Sequence, residues 1–495
     1  MKPQETTRQL EELLERHAPS VERAIERCGL PLHLAFHEVI EENAAGFLET
    51  AARLYPETTV AFAVKSNPCR GAVRTAAGLG LGADVASEFE LQAALQEGIE
   101  PHRIICNGNA KSDGYLADAL ASGAIVAVDN ATELDGIERL ARQTGARPQV
   151  LIRFRGMPLS GLTSEDQTTA ADWTKFGFHV DEAPELFAHL RKADSIEFVG
   201  ISAHIGTQIA DPAGYERLID CFFRLVRMAM AHGLTVRALD VGGGYPVRFL
   251  AESDWRRFTG RLLDRVLHPG APASEAVTWN DLPMGYAHVR EASDTPEDWI
   301  GKAYWTAAPA GEMLSHLLGF RHPDGQTTAD HLRSLGSPRL IVEPGRSLMA
   351  SAGVTLTRAM DVKTVLGHAV VALDLGINNH GTNLITPDIF PAAVVPRSED
   401  DDAVEAFLAG RLCFSGDMIS KAKVTLNRLP KRGERFAVFH TGAYGADHFA
   451  SHSCGFPRPA KVAIREDGTI ELWRAREGFA DVFGEPGESL LLDGQ

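Results

Sequence analysis

The chain has 495 residues, of which 44% are hydrophobic and 23% are charged, a composition typical of a globular protein with more than one domain. Its formal net charge of −17 argues against partners such as nucleic acid or an anionic membrane surface, because their phosphate groups repel an acidic surface. Six scattered cysteines without a CxxC pair argue against a disulfide scaffold and a structural metal site. We find no signal-peptide core and no run near the roughly 18 apolar residues of a membrane span, so we expect a cytoplasmic protein.

The first elements predicted are a helix over residues 5–28 and a short strand over residues 31–36. Short apolar or β-branched runs then alternate with helical stretches, which is the pattern of parallel βαβ units. Eight such runs predict strands over residues 59–64, 83–85, 103–106, 125–128, 149–154, 197–203, 236–241 and 339–342. Eight units predict an α/β fold of the (β/α)8 TIM-barrel type, with a doubly wound open sheet as the alternative.

A long connection, from about residue 250 to residue 335, separates the seventh and eighth predicted strands. Its tryptophans and tyrosines argue for an ordered insertion near a functional site. After residue 351 strands follow one another without long helices, which predicts an antiparallel β domain. These strands are predicted over residues 353–360, 369–374, 411–413, 435–440, 461–465 and 469–473.

Polar residues end or follow the predicted barrel strands, and the carboxyl ends of barrel strands meet on one rim, where active sites form. These rim residues are Lys65, Asp84, Asn107, Asp129, Arg153, His204, the triplet Gly242–Gly244 and Glu343. Seven polar side chains and a glycine triplet on one rim favour an active site over scattered structural residues.

Three of these features suit one cofactor, although each also has an ordinary structural interpretation. Lys65 is either an exposed strand-end lysine or a partly desolvated amine able to form a Schiff base. The triplet Gly242–Gly244 is either a simple turn or a cradle for phosphate. Arg346 forms either a surface ion pair or a bidentate phosphate contact. Together with the carboxylate of Glu343 they point to pyridoxal 5′-phosphate (PLP).

Seven segments of the sequence resemble the fold-type III PLP-dependent decarboxylases, which include the diaminopimelate, ornithine and arginine decarboxylases. The segments are AFAVKSN (61–67), DVAS (84–87), HIGTQ (204–208), DVGGGYP (240–246), EPGR (343–346), CFSGD (413–417) and GAYG (442–445). The resemblance runs from about residue 31 to residue 459 in family order. It implies an alanine-racemase-like barrel over residues 41–350, with the insertion at about 250–335. It also implies a β-sandwich or β-barrel domain built from residues 1–40 and 351–495.

The resemblance assigns a role to many residues. Lys65 would form the Schiff base with PLP, and His204 would stack on the pyridine ring. Cys413 would reach in from the partner subunit of a homodimer and help protonate the product. Cofactor contacts are implied for Lys65, Asp84, Glu90, Arg153, His204, Thr207, Gly243, Gly244, Glu343, Gly345, Arg346 and Tyr444. Glu343 would keep the pyridine nitrogen protonated, which favours decarboxylation through a quinonoid over racemisation.

The positions that grip the substrate depart from the family pattern. Phe414 stands where the family usually has an acid for the distal amine, and Thr386 stands where diaminopimelate decarboxylases have an arginine. We therefore expect a substrate other than diaminopimelate, with Phe414, Thr386, Asp388 and Asp417 as candidate substrate contacts. The alternatives are a PLP-dependent racemase and a non-catalytic regulatory homologue.

Overall fold

The computed structural model describes residues 5–159, 168–268, 270–281, 303–380, 389–398, 401–448 and 450–484. The chain divides into two compact units. One, which we call the sheet unit, comprises Met1–Val39, Phe249–Pro296 and Ala350–Gln495; the other, the barrel unit, comprises Ile40–Arg248 and Glu297–Met349. Within the described part of the chain we find no helix with the length and apolar character needed to cross a membrane.

The described residues form eighteen strands and fourteen α-helices. The strands are β1 (Leu32–Phe36), β2 (Thr58–Ala63), β3 (Gly82–Val85), β4 (Ile104–Cys106), β5 (Ile125–Val128), β6 (Gln149–Arg155), β7 (Phe178–His179), β8 (Glu197–Ser202), β9 (Ala238–Asp240), β10 (Arg339–Val342), β11 (Gly353–Val365), β12 (His368–Leu373), β13 (Ala392–Val394), β14 (Val404–Ala409), β15 (Met418–Leu426), β16 (Arg435–Phe439), β17 (Ala460–Ile464) and β18 (Ile470–Arg474). The helices are α1 (Glu5–Arg16), α2 (Ala18–Cys28), α3 (His37–Leu54), α4 (Arg70–Gly78), α5 (Glu88–Gln96), α6 (Asp113–Ser122), α7 (Ala131–Thr144), α8 (Ala183–Leu190), α9 (Ala213–Ala231), α10 (Glu252–Leu267), α11 (Gly311–Gly319), α12 (Thr328–Ser334), α13 (Arg346–Met349) and α14 (Phe479–Phe483).

The barrel unit contains the predicted (β/α)8 barrel. Its parallel strands pair in the order β5-β4-β3-β2-β10-β9-β8-β6, and β5 pairs with β6 to close the ring. This closure excludes the open doubly wound sheet. All eight predicted barrel strands are confirmed, and the short strand β7 adds to β6.

Apolar side chains from the strands fill the barrel. Their shared feature is near-complete burial, and the cluster consists of Ala61, Ile105, Ile125, Ala127, Leu151, Val199, Ala238 and Ile341. The strands also approach closely at Gly200, where an added Cβ would lie 1.8 Å from the carbonyl oxygen of Ala238. The interior of the barrel is therefore a packed apolar core, so the polar residues of a functional site lie on its rim.

Short polar caps place the helices directly after the strands. Ser87, Ser112 and Asn130 each accept a hydrogen bond from the backbone N–H three residues later, at the start of α5, α6 and α7. Gly123 and Gly145 end α6 and α7 in the left-handed conformation. The loops after β3, β4 and β5 are consequently short, so the residues that follow these three strands keep positions fixed by the barrel.

The sheet unit is mostly antiparallel, in the order β15-β14-β12-β11-β1-β17-β18, with β16 also on β11 and β13 on β16. Two pairs depart from the predicted antiparallel pattern: β1 is parallel to β17, and β12 is parallel to β14. The prediction of a strand over residues 411–413 is wrong, because these residues form the bend between β14 and β15. The prediction also missed β13, β14 and β15.

The N-terminal helix predicted over residues 5–28 is two helices. His17 separates α1 from α2, and the proline of the Ala-Pro pair that opens α2 removes a backbone donor at its first turn.

The long connection between β9 and β10 is divided between the two units. In the sheet unit, Trp255 on α10 stacks on Phe258, and Trp279 lies edge-on to Phe407. In the barrel unit, Tyr304 is fully buried. The aromatic residues Tyr286 and Trp299 lie outside the described residues. The described aromatic residues of this connection thus pack into both units.

Candidate active site

Lys65 and Asp84 meet on the rim of the barrel unit. Lys65 lies in a single 3-10 turn directly after β2, and Asp84 is the third residue of the neighbouring strand β3. The Lys65 Nζ donates a hydrogen bond to Asp84 Oδ2, which is fully buried, while the lysine side chain keeps 38% of its surface exposed. The amine is thus held by one buried carboxylate and remains accessible to a carbonyl compound.

Asn107, directly after β4, links Asp84 to Glu343 on the other side of β2. Its amide Nδ2 donates to Asp84 Oδ1 at 2.9 Å and to Glu343 Oε1 at 2.8 Å. One amide therefore connects the lysine–aspartate pair to the carboxyl group at the end of β10. Both acids are at most 5% exposed, so this network replaces their hydration.

Glu343 lies among other acids. Burial, followed by the charges of Asp240 and Asp84, raises the pKa of Glu343 well above its usual range. Burial also raises the pKa of Asp240 to about 6, opposed by hydrogen bonds from the Gly242 N–H, from Ser202 and from Glu343. Two carboxyl groups can share a hydrogen bond only when one is protonated, so burial and their mutual repulsion favour the protonated form of one member of this pair.

His204 follows β8 and its ring is fixed by the backbone. The Gly243 N–H donates to His204 Nδ1 at 3.0 Å. Since a backbone N–H can only donate, Nδ1 is the acceptor and the ring proton of neutral His204 is on Nε2. Burial and then the positive charges of Lys65 and Arg153 lower the pKa of His204 to about 3, so the ring is neutral at physiological pH.

The glycine triplet after β9 is held from several sides. Asp240 Oδ1 accepts the Gly242 N–H at 3.0 Å, and Tyr215 Oη donates to the Gly243 carbonyl at 2.9 Å. A Cβ on Gly243 would lie 2.5 Å from the Glu343 carbonyl oxygen, and Gly244 has a φ of +93°. Side chains larger than hydrogen are therefore excluded at both positions, and the backbone of this loop lines the rim.

The residues after β10 pack against the lysine turn. A Cβ on Gly345 would lie 3.0 Å from the Cβ atoms of Ala63 and Ser66. The backbone just before Arg346 therefore packs against the turn that carries Lys65. The Ala63 N–H donates to the Pro344 carbonyl at 3.2 Å.

Three other predicted residues lie in the same unit. Glu90, in the first turn of α5, accepts the Ala86 N–H at 2.7 Å, and burial raises its pKa while Lys65 opposes the rise. Arg153 on β6 is buried, with its guanidinium 4.2 Å from the centroid of the Phe176 ring. Thr207 lies in the loop after β8 and is partly exposed.

Comparisons with known proteins agree with this geometry. Residues 44–266 match the family described as pyridoxal-dependent decarboxylase, pyridoxal binding domain. The diaminopimelate decarboxylase of Actinosynnema pretiosum is 30% identical over 475 residues, which cover 95% of this chain and 92% of that protein. The enzyme of the same name from Aquifex aeolicus is 27% identical, with 94% of each chain covered.

The chain belongs to the pyridoxal-dependent decarboxylases. It is a PLP-dependent amino-acid decarboxylase, as its sequence predicts. A solved structure of diaminopimelate decarboxylase from M. jannaschii has the same fold, with a TM-score of 0.73, 22% identity and 94% of each chain covered.

The sheet unit of this decarboxylase carries four of the remaining predicted residues. Cys413 and Phe414 are both exposed, with Phe414 56% exposed, on the loop between β14 and β15. Tyr444 lies after β16 with a φ of +63°. Asp417 is 4% exposed, and its two carboxylate oxygens accept the N–H groups of Ile377, at 2.7 Å, and Leu412, at 2.6 Å. These bonds make Asp417 a structural acceptor in this loop, and its predicted contact with substrate remains a prediction.

Thr386 and Asp388, the other two candidate substrate contacts, lie outside the described residues. Two residues to which the sequence analysis gave no role are part of the network: Asn107 and Asp240. Their positions at the ends of β4 and β9 placed them on the rim. Their roles depend on hydrogen bonds to other strands, which the sequence does not display.

Proposed function

We propose that this decarboxylase uses Lys65 to attach PLP and Glu343 to contact the nitrogen of its ring. The observation that supports this proposal is the position of the buried Glu343 carboxyl group, which Asn107 joins to Asp84, the hydrogen-bond acceptor of Lys65. A buried carboxyl group among other carboxyl groups is stabilised as an anion when a cationic N–H donor is placed against it. Bound PLP supplies an electron sink that accepts the electron pair left when the bond from Cα to the carboxylate breaks.

The residues present fit the cofactor at both of its ends. Glu343 offers a buried carboxyl group that interacts with Asn107 and with Asp240. For the phosphate, the proposed contacts are the backbone of Gly243 and Gly244 and the side chains of Thr207, Arg346 and Tyr444. Arg346 adds a permanent positive charge, and arginine binds phosphate bidentately.

His204 has two features of a ring that packs flat against a planar cofactor. Its neutral state avoids a charge repulsion with a cationic ring, and the Gly243 N–H fixes its orientation from the edge. Asp84 orients Lys65, and its buried carboxylate keeps the amine close to the rim. We assign Glu90 and Arg153 to the surroundings of the cofactor, since both interact electrostatically with residues of this network.

We propose further that the substrate is not diaminopimelate, although the relatives above carry that name. Phe414 cannot accept a hydrogen bond from a distal ammonium group, and a threonine at position 386 cannot pair with a distal carboxylate as an arginine does. A charged group left unpaired in an enclosed site costs several kcal/mol, roughly what breaking a buried ion pair costs. An amino acid with an apolar side chain avoids this cost.

The proposed assembly is a homodimer in which Cys413 and Phe414 of one chain contribute to the site of the other. Their exposure in the single chain supports this arrangement, because the loop is rigidly held by Asp417 and yet presents both side chains to solvent. We propose that Cys413 lies near Cα of the substrate and supplies the proton that replaces the lost carboxylate.

Carbon dioxide release from a panel of amino acids tests the substrate proposal. We expect the PLP-loaded protein to decarboxylate apolar amino acids faster than meso-diaminopimelate. Phe414→Glu combined with Thr386→Arg should raise kcat/KM for meso-diaminopimelate at least about 10-fold, since each adds a charge-assisted contact. The control is Phe483→Glu, which alters another exposed phenylalanine far along the chain. Efficient turnover of meso-diaminopimelate by the wild type would refute the proposal.

A further inference from the structure

A cavity of about 270 Å³ lies within the sheet unit and has no part in the site described above. It is bounded by α1, by α10, by the strands β14 and β15 and by residues 389–392. None of the residues proposed to bind the cofactor lines it. The cavity is therefore a candidate for a second binding site in this decarboxylase.

One side of the cavity has buried aromatic residues. Phe249, Phe390 and Phe439 line it and are each at most 3% exposed, with Phe258 beside them. The rings of Phe249 and Phe390 meet edge-to-face with their centroids 5.7 Å apart. An apolar cavity of about 150 Å³ already accommodates benzene. A cavity of about 270 Å³ lined in this way has room for an aromatic ring with a short chain.

The arginines of the cavity are already paired. Arg397 Nε donates to Glu11 Oε1 at 2.8 Å, tying the loop before β14 to α1. Arg261 Nη1 donates to Glu405 Oε1 at 2.6 Å, tying α10 to β14. The third arginine, Arg257, pairs with Asp254 within α10 at 2.8 Å. These pairs fix the walls and leave little net attraction for an added ion.

Lys423 on β15 is different from these arginines. It lines the cavity, but among the residues that the structure describes its ammonium forms no hydrogen bond or ion pair. Its nitrogen lies 5.8 Å from the centroid of the Phe407 ring. Burial lowers the pKa of Lys423, an effect that Glu405 opposes while already paired with Arg261. A partly dehydrated cation with an aromatic wall nearby is complementary to an anion with an apolar body.

We propose that this cavity binds a small monocarboxylic acid with an aromatic body, whose carboxylate pairs with Lys423. The ring of the ligand lies against Phe258, and the buried rings of Phe249 and Phe390 support that side of the cavity. A single unpaired ammonium neutralises one negative charge, so a dianionic phosphate would leave a second charge uncompensated in a partly enclosed space. The site is independent of the reaction and of the substrate proposed above.

Isothermal titration calorimetry on the PLP-loaded enzyme tests this site, with 3-phenylpropionate as the probe. We expect saturable binding that weakens about 10-fold or more for the neutral 3-phenylpropanamide, because a charge-assisted hydrogen bond is lost. Lys423→Gln should weaken binding of the acid to a similar extent and leave binding of the amide unchanged. Lys421→Gln, two residues away on β15 and not in the cavity wall, should bind like the wild type.

Ala403→Trp provides a second variant, because residue 403 lines the cavity and is exposed, so that a large side chain can fill it without disturbing the core. It should abolish binding of both probes. The proposal is overturned if 3-phenylpropionate does not bind saturably, if the amide or inorganic phosphate binds as tightly as the acid, or if Lys423→Gln binds like the wild type. A change in the visible absorbance of the cofactor that follows the same binding curve would place the acid in the active site and would also overturn it.

Discussion

Glu343 is shaped by its burial and by two neighbouring acids, Asp240 and Asp84. Burial and then the charges of Asp240 and Asp84 raise the pKa of Glu343, so its protonated form is favoured in the folded protein. The Glu343–Asp240 pair stabilises the folded protein only while it is protonated. A cationic partner for Glu343 removes that requirement, so occupancy of the site and stability are linked.

The variant Glu343→Gln tests this linkage. The pKa of Glu343 is raised above its unfolded value of about 4.3, so its stabilising effect is complete below about pH 4.3 and is lost as the pH rises. We expect the urea midpoint of the cofactor-free wild type to fall as the pH rises from 4.5 through about 6, the region where Asp240 titrates, and to fall less in the variant. In the PLP-loaded enzyme, the same change should lower kcat at least about 100-fold.

Visible absorbance of the bound cofactor is the control for that experiment, because it separates a loss of rate from a loss of PLP. An unchanged kcat, or a steeper pH dependence in the variant than in the wild type, would contradict the role given to Glu343.

The rim residues could be predicted from the sequence because their position follows from a general property of barrels. Lys65, His204 and Glu343 each follow an apolar strand, and the carboxyl ends of parallel strands share one edge. The resemblance then gave Lys65, His204 and Glu343 their expected roles. The linking role of Asn107 was not predictable, because it depends on distances between side chains on three strands.

At the scale of elements, one side chain in the loop between β14 and β15 accepts backbone hydrogen bonds that a neighbouring strand would otherwise accept. Asp417 accepts two backbone N–H groups, one from Ile377 and one from Leu412. Those contacts bend residues 410–417, where the sequence predicted a strand over 411–413. The apolar run of Leu412 and Cys413 resembles a strand in a single sequence, whereas the carboxylate that bends it comes several residues later.

Asp417→Ala is expected to lower the free energy of unfolding by about 2 kcal/mol, because one buried and one part-buried N–H group lose their acceptor. Urea denaturation of the PLP-loaded enzyme measures this change. The control is Asp402→Ala, an exposed acid nearby on the chain. If Asp417 contacted substrate instead, the variant would keep its stability and raise KM alone.

The strands of the two units were not equally predictable. Barrel strands are buried on both faces and appear as continuous apolar runs, which a sequence displays clearly. Strand β15 alternates buried and partly exposed residues, and Lys421 and Lys423 occupy two of its partly exposed positions. Because those lysines interrupt the apolar signal, β15 was missed although its alternation is the ordinary pattern of a strand with one solvated face.

At the scale of the whole molecule, the proposed homodimer makes a quantitative prediction for mixed subunits. Lys65→Ala and Cys413→Ala alter different units of the chain, and each variant alone should be inactive or nearly so. If each site combines the barrel unit of one chain with the sheet unit of its partner, dissociating and reassociating an equal mixture restores one intact site in each mixed dimer. We expect recovery of about a quarter of the wild-type activity, since half of the dimers are mixed and one of their two sites is intact.

A mixture of Lys65→Ala with His204→Ala is the matched control, because both residues lie in the barrel unit and no intact site can form. Absence of recovery with Cys413→Ala, under conditions where subunits exchange, would show that sites are not shared. Light scattering of each variant confirms that the dimer is intact.

Strand β1 has a consequence for how the protein is made. All five of its residues are buried, and it lies between β11 and β17 in the sheet. The ribosome therefore releases an apolar strand long before its partner β11, which is synthesised roughly 320 residues later. At typical rates of translation this separation is a delay of about 15–60 s. During that interval both edges of the strand are open to pairing with other nascent chains, so the yield of active enzyme in the cell should depend on chaperones that bind this segment early.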